Sequence, residues 1–395
     1  MVRQALQFSL VITILLVMIS CSGRETTKFL ATDKYPFKGR EAGAEEVAAF
    51  QSTATAFSFR AAEALLEDGG VIGSAALFQF GLVLLNGAEG ETYNDAARLL
   101  GTQEADSFPY DYAFCDWIGR FGNGSPLSVR GSLWMLWPVP VEESFRKDMA
   151  EHFRFDVQKL GSVGISARRY VDGWWLAETG RSEAAPVNLD KANVMVALSS
   201  QYVSPCPWET ASSGERAKGD FLGGNGKQEV TYWRAKVRNL SRGDSRAYKL
   251  STSKGLSVYF LPLQDAISPS LEDWNLLMEQ EGKEEDLWIP EIKLESRSDL
   301  PKLINSLGAG GLLQPPLDLP SLSVELSGNY TVGPGTHFAR LSISAQGISS
   351  GAEDLGDEVQ ALAPEMGNRL DQPFTFIVVD DTWRIPAFIG RIVRF

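Results

Sequence analysis

Two periodicities run through the chain. Val47, Phe50, Ala54, Phe57, Ala61 and Leu65 recur at intervals of three and four before Gly69-Gly70, which predicts an amphipathic helix with a glycine stop. GSAALFQFGLVLLNG, which follows, is apolar on nearly every side and predicts a helix buried within the molecule. Thr92 with Asp95 predicts another helix start and Gly101 its end. EESFRKDMAEHF, Ser270 to Glu281 and SDLPKLINSLG are helical in pattern, the last stopped by Gly308. Alternation at period two predicts strands in VRGSLWMLW, NVMVALSSQYV, GLSVYFLPL, DLWIPEIKLES, HFARLSIS and FTFIVVDD, and a run of hairpin strands from Gln228 to Leu250. No Pro/Ser-rich linker interrupts Glu46 to Phe395, so these elements are expected to form one α+β domain, residues 46–395.

Between the last two groups of strands lies AQGISSGAEDLGDEVQALAPEMGNRLDQPF, a connection about thirty residues long. Loops in compact domains are typically ~4–6 residues, and one longer than ~12–15 usually has a task. This length therefore marks residues 345–372 for attention.

At 395 residues, 44% hydrophobic and 22% charged, the chain is long and apolar enough for a large core. A net charge of −13 without clustered Lys and Arg argues against nucleic acid as a partner. At the N-terminus, Arg3 precedes an apolar run from Leu10 to Ile19, of signal-peptide rather than membrane-spanning length, and then Ser20 and Cys21. The pattern resembles a bacterial lipoprotein signal, with Met18 and Ile19 as departures. It implies removal of residues 1–20, acylation of Cys21, a polar tether over 21–45, and export to a membrane or cell surface; an ordinary secretory signal is the other reading, and either exports the chain. Cys115 and Cys206 then allow at most one disulfide.

Catalytic chemistry is not legible. His152 and His337 are the only imidazoles and neither has a local metal-ligand pattern; G-x-S-x-G, H-E-x-x-H and C-x-x-C are absent. GGNGK at Gly223 to Lys227 is too short for a phosphate loop and reads as a hairpin turn. No enzyme activity, cofactor or metal is expected.

Several stretches, collinear from Glu46 to Phe395, resemble the serpin family. Gly87, Ala88, Gly90 and Thr92 match a G-A-x-G-x-T turn after a buried helix, and Trp174 and Thr179 match N-x-W-V-x-x-x-T. Trp208-Glu209 and Leu261-Pro262 match family dipeptides, and Pro373, Phe374, Phe376, Phe388, Gly390 and Arg391 match its terminus. The resemblance implies a large central β-sheet, two smaller sheets, eight or nine helices and an exposed reactive-centre loop. It also implies a polar shutter or breach with His337, Ser200 and Trp208, His337 lying close to Ser200, while Gly73, Ser74 and Ala76 depart from the family pattern.

What the resemblance implies for the loop is a bait. A serine protease would cut it, and the freed loop would enter the large sheet as a strand, a mode of β-augmentation. The hinge would comprise Gly347, Ile348, Ser349 and Ser350; family spacing puts the scissile bond at Ala361-Leu362, with Met366 or Arg369 as other candidates. Ala361 suits a protease with a small apolar primary pocket, elastase-like or subtilisin-like. A monomer is expected. Alternate residues from Ile348 would point inward, and Asp354 is then the awkward one, because burying a lone carboxylate costs several kcal/mol. A non-inhibitory binding protein whose loop stays out is the competing expectation.

Overall fold

The computed structural model describes residues 30–102, 110–121, 125–135, 139–160, 165–187, 189, 195–210, 215–240, 246–262, 267–323, 327–328, 331–351 and 366–395. Cys21, Asp354, Ala361 and Leu362 lie outside these residues.

The chain opens with α1 (Ala31–Lys34), α2 (Ala44–Leu65), β1 (Gly70–Gly73), α3 (Ser74–Gly87), α4 (Gly90–Leu100) and α5 (Tyr110–Gly119). β2 (Leu127–Met135), α6 (Glu143–Phe153), β3 (Phe155–Lys159), α7 (Ile165–Thr179) and β4 (Met195–Val203) follow. Next are β5 (Arg216–Gly223), β6 (Gly226–Asn239), β7 (Tyr248–Ser251), β8 (Leu256–Leu261), α8 (Leu271–Met278), β9 (Lys283–Pro290), β10 (Ile292–Asp299) and α9 (Leu300–Ser306). The last elements are β11 (Leu317–Asp318), β12 (Ser327–Gly328), β13 (Gly335–Ser344), β14 (Gly347–Ser349), β15 (Phe374–Asp380) and β16 (Ile385–Ile392).

Two sheets organise the fold. One has the order β10-β13-β4-β2-β3 with β14 beside β13; the other runs β1-β16-β15-β8-β7-β6-β5, with β9 on β6. The strands expected to form two smaller sheets are joined, because β6 is fourteen residues long and pairs with β5 over Gly226–Trp233, with β9 over Tyr232–Asn239 and with β7 at Arg238 and Asn239. Gly224 and Asn225 make the β5–β6 turn. As expected, α3 is buried on nearly all sides, Asn86 being its one partly open position. At ~1.5–3 kcal/mol for each buried Leu, Val or Phe, its contacts are a large part of the core.

Some elements differ from expectation. DLWIPEIKLES is two strands, split at Glu291 so that β9 joins one sheet and β10 the other; the Glu291 carboxylate holds Arg216 at 2.5 Å. α4 begins at Gly90, two residues before Thr92, whose hydroxyl instead accepts the Asp318 N–H. The stretch predicted to run free as far as Glu45 is docked from Leu30 onward. Leu30 is buried beside Trp134 and Trp174, Thr32 donates its N–H and hydroxyl to Asp156, and Lys38 N–H donates to Glu151 O. The tether expected over 21–45 is thus corrected for residues 30–45, which are docked on the body; residues 21–29 lie outside the described residues.

Candidate functional site

β4 and β13 lie side by side in parallel register from Ala197↔Gly335 to Gln201↔Ala339, and above that level a third segment stands between them. Ser344 ends β13, Ala345 and Gln346 turn, and the chain returns as β14, with Ser344↔Gly347, Ile343↔Ile348 and Ser342↔Ser349 in antiparallel register. On the other flank, Cys206 N–H donates to Ile348 O at 2.9 Å and Ile348 N–H to Cys206 O at 3.0 Å. Ser350 closes the fork. Its N–H donates to Val203 O at 2.8 Å, while its hydroxyl donates to Arg340 O at 2.5 Å and accepts the Val203 N–H at 2.9 Å.

Local chemistry accounts for this seat. Ile348 alternates inward with Ile343 and joins the main core, 1% exposed. Gly347 has φ +139°, and a Cβ there would stand 2.2 Å from Cys206 O, so only glycine fits. All four predicted hinge residues are buried and in one place. Trp208, stacked on Trp233 at 5.6 Å, donates its indole N–H to Ser344 O at 2.8 Å and so fixes the end of β13 just before the turn.

His337 lies lower in the same seam, fully buried. Its Nε2 accepts the Gly73 N–H at 2.9 Å, which leaves the proton on Nδ1 to donate to Ser199 Oγ at 3.0 Å. Burial pushes its pKa down to about 3, so the imidazole is neutral. The predicted proximity of His337 and Ser200 needs correction by one residue. In the β4–β13 register His337 faces Ser199, while Ser200 faces Phe338 on the opposite side of the sheet, beneath α7. Side chains alternate along a strand, so a shift of one changes the face. Gln201, which sequence reasoning missed, shares the Ser199 face: its amide N–H donates to Ala387 O and its Oε1 accepts the Ala76 N–H. The spacing of two between Ser199 and Gln201 was the signal for it.

The far end of the loop is also fixed. Trp288 N–H donates to Asn368 O and Leu370 N–H to Trp288 O, while Arg369 pairs with Asp371 at 2.8 Å. Met366 packs against Ala217, Tyr232 and Trp288. Both alternative bait residues are therefore held against the body. Cys115 and Cys206 are separate free thiols, and Cys206 Sγ lies 3.1 Å from Thr252 Oγ1. Among the described residues no group of three His, Cys, Asp or Glu could hold a metal, and no helix is long and apolar enough to cross a membrane.

Under α7, Glu178 faces Arg130 at 3.6 Å, and burial raises its pKa from 4.5 to about 7. An acid whose folded pKa is raised loses stability as pH climbs from its unfolded value to its folded one, here from about 4.5 to about 7. Glu178→Gln is expected to flatten that decline and to add about 1–3 kcal/mol at pH 8, read by urea unfolding across pH. Equal pH slopes in both proteins would refute it.

The family model described as Serpin (serine protease inhibitor) matches residues 52–395, and the chain belongs to the serpin family. Alpha-1-antiproteinase of Callosciurus caniceps is 20% identical over 297 residues, covering 70% of each chain. Ovalbumin of Dromaius novaehollandiae is 21% identical over 289 residues, covering 68% of this chain and 74% of its own. With the first three curated relatives, all from mouse, the alignment spans only 20–30% of their length. Among solved structures, the native state of the thermophilic serpin tengpin superposes with TM-score 0.75 at 17% identity, over 92% of this chain and 98% of that one. Human thyroxine-binding globulin, solved with its thyroid ligand, gives 0.72 at 15%, over 87% and 99%. At those identities the likeness establishes the fold alone.

Proposed function

We propose that this chain is an inhibitory serpin whose loop baits serine proteases and enters the sheet between β4 and β13 once cut. The observation that carries this reading is the seat of β14: Gly347 to Ser350 already lie in the seam, with Ile348 in the core. A protease serine attacks the Ala361 carbonyl, the Leu362 amine leaves, and an ester joins Ala361 to the protease. The freed segment then continues the β14 register into the seam before water cleaves that ester. The inhibitor supplies no catalytic group.

Incubation with elastase and subtilisin, read by SDS electrophoresis and intact mass, is expected to give a covalent complex and a cut at Ala361-Leu362. A large rise in melting temperature should accompany cleavage. Clean turnover of the loop without complex or thermal gain would refute the reading. It would favour instead a serpin-fold binding protein with an external loop, a reading for which Asp354 speaks and which has a ligand-binding structural neighbour in thyroxine-binding globulin. Cys21 is proposed as the acylated first residue of the exported chain, anchoring it to a bacterial membrane or cell surface; the mass of the mature N-terminal peptide tests that.

A further inference from the structure

Helix α7 and the chain behind it lie over the outer face of the sheet and grip both sides of the seam. On one side, Trp174 Nε1 donates to Asp156 on β3 at 3.3 Å, Glu178 faces Arg130 on β2, and Trp175 and Val171 cluster with Val196 and Leu198 on β4. On the other side, Arg181 pairs with Glu295 on β10, Glu183 with Arg297 on β10 at 2.7 Å, and Thr336 Oγ1 on β13 donates to Pro186 O at 3.0 Å. Glu295 also holds Arg340 on β13 at 2.9 Å, and the Trp175 ring meets Phe338 on β13 at 5.4 Å.

We propose that residues 181–186 are an ionic clamp across the β4–β13 seam, and that Arg181, Glu183, Glu295 and Arg297 set how readily it opens. The proposal names the regulation of the insertion site and so rests on that reading for its purpose, although not for its test. Seating one more strand moves β4 and β13 apart by about 4.8 Å. Ion pairs that span less than 3 Å cannot stretch that far, so the Arg181–Glu295 and Glu183–Arg297 pairs must break, or α7 must be lifted with them, as the loop passes. The four side chains are 21–40% exposed, so the clamp is weak enough to open without unfolding and is open to salt.

The test is amide hydrogen exchange on the intact, uncleaved protein, which reads seam opening whether or not the loop ever inserts. In Glu183→Gln and Glu295→Gln, the amides of Ala197 to Gln201 and Gly335 to Ala339 are expected to exchange about three- to tenfold faster, with those of β15 and β16 unchanged. Raising salt from 0.05 to 0.5 M should speed the same amides in the wild type and have little effect in a variant that carries both Glu183→Gln and Glu295→Gln. Unchanged seam exchange in both variants, or acceleration that spreads equally to β15 and β16, overturns the clamp. Failure of the inhibitory reading shows elsewhere, as absence of thermal gain after cleavage.

Discussion

After loop cleavage the gain in melting temperature is expected to be larger at pH 5.5 than at pH 8, and Asp354→Asn is expected to remove the difference. The β13–β14 register runs Ser344↔Gly347, Ile343↔Ile348, Ser342↔Ser349. Continued downward, the same register sets Asp354 opposite His337, and residues directly opposite share a face. The awkward carboxylate would therefore arrive beside a buried imidazole. An aspartate carboxylate in water is ionised at either pH, whereas His337 in the uncut protein is neutral, its pKa held near 3 by burial. After insertion the pair carries one more proton, as imidazolium with carboxylate or as neutral imidazole with carboxylic acid, because a lone buried charge is too costly. Insertion thus takes up one proton and weakens by about 1.4 kcal/mol per pH unit, from about pH 4 up to the apparent pKa of the inserted pair. Asp354→Asn takes up none. Calorimetry of cut and uncut protein at the two pH values measures the effect; equal gains in the wild type would show that the pair does not form.

Gly347→Ala is expected to expel the hinge. The added methyl would stand 2.2 Å from Cys206 O in a backbone conformation of φ +139°, and neither partner can yield, since both are backbone-anchored. Loss of the seat exposes Ile348 and unpairs the Cys206 and Val203 backbone groups, a cost of about 2–4 kcal/mol in urea unfolding. Limited proteolysis between Ser350 and Met366 should also quicken, because four anchored residues become free loop. Gly351→Ala is the control: nothing lies within 4 Å of its Cβ position, and stability should not change. If the two variants behave alike, the hinge is not seated in solution.

Much of the architecture could be read from local pattern. α2 and α3 announced themselves by where their apolar residues fall, and Gly101 by the left-handed turn, φ +87°, that ends α4. Trp208 and Gly347 stood out only through the family resemblance; in the structure the Trp208 indole holds the Ser344 carbonyl, and a Cβ on Gly347 would strike Cys206 O. What failed depended on register or on distant partners. Ser199 and Ser200 are chemically identical, and only the pairing with β13 decides which faces His337. The split at Glu291 is fixed by Arg216, seventy-five residues away, and the docking of Thr32 by Asp156, one hundred and twenty-four residues away. Partial seating of the hinge was hidden for the same reason: Cys206 and Val203 hold it from the far side of the gap.

The docked N-terminal segment also sets a distance. With Leu30 buried beside Trp174, an acyl group at Cys21 would be joined to the folded body by fewer than ten residues. At ~3.3–3.6 Å per residue, such a leash reaches about 30 Å at full stretch. A body so held would skim the bilayer and meet chiefly those proteases that come to the same surface.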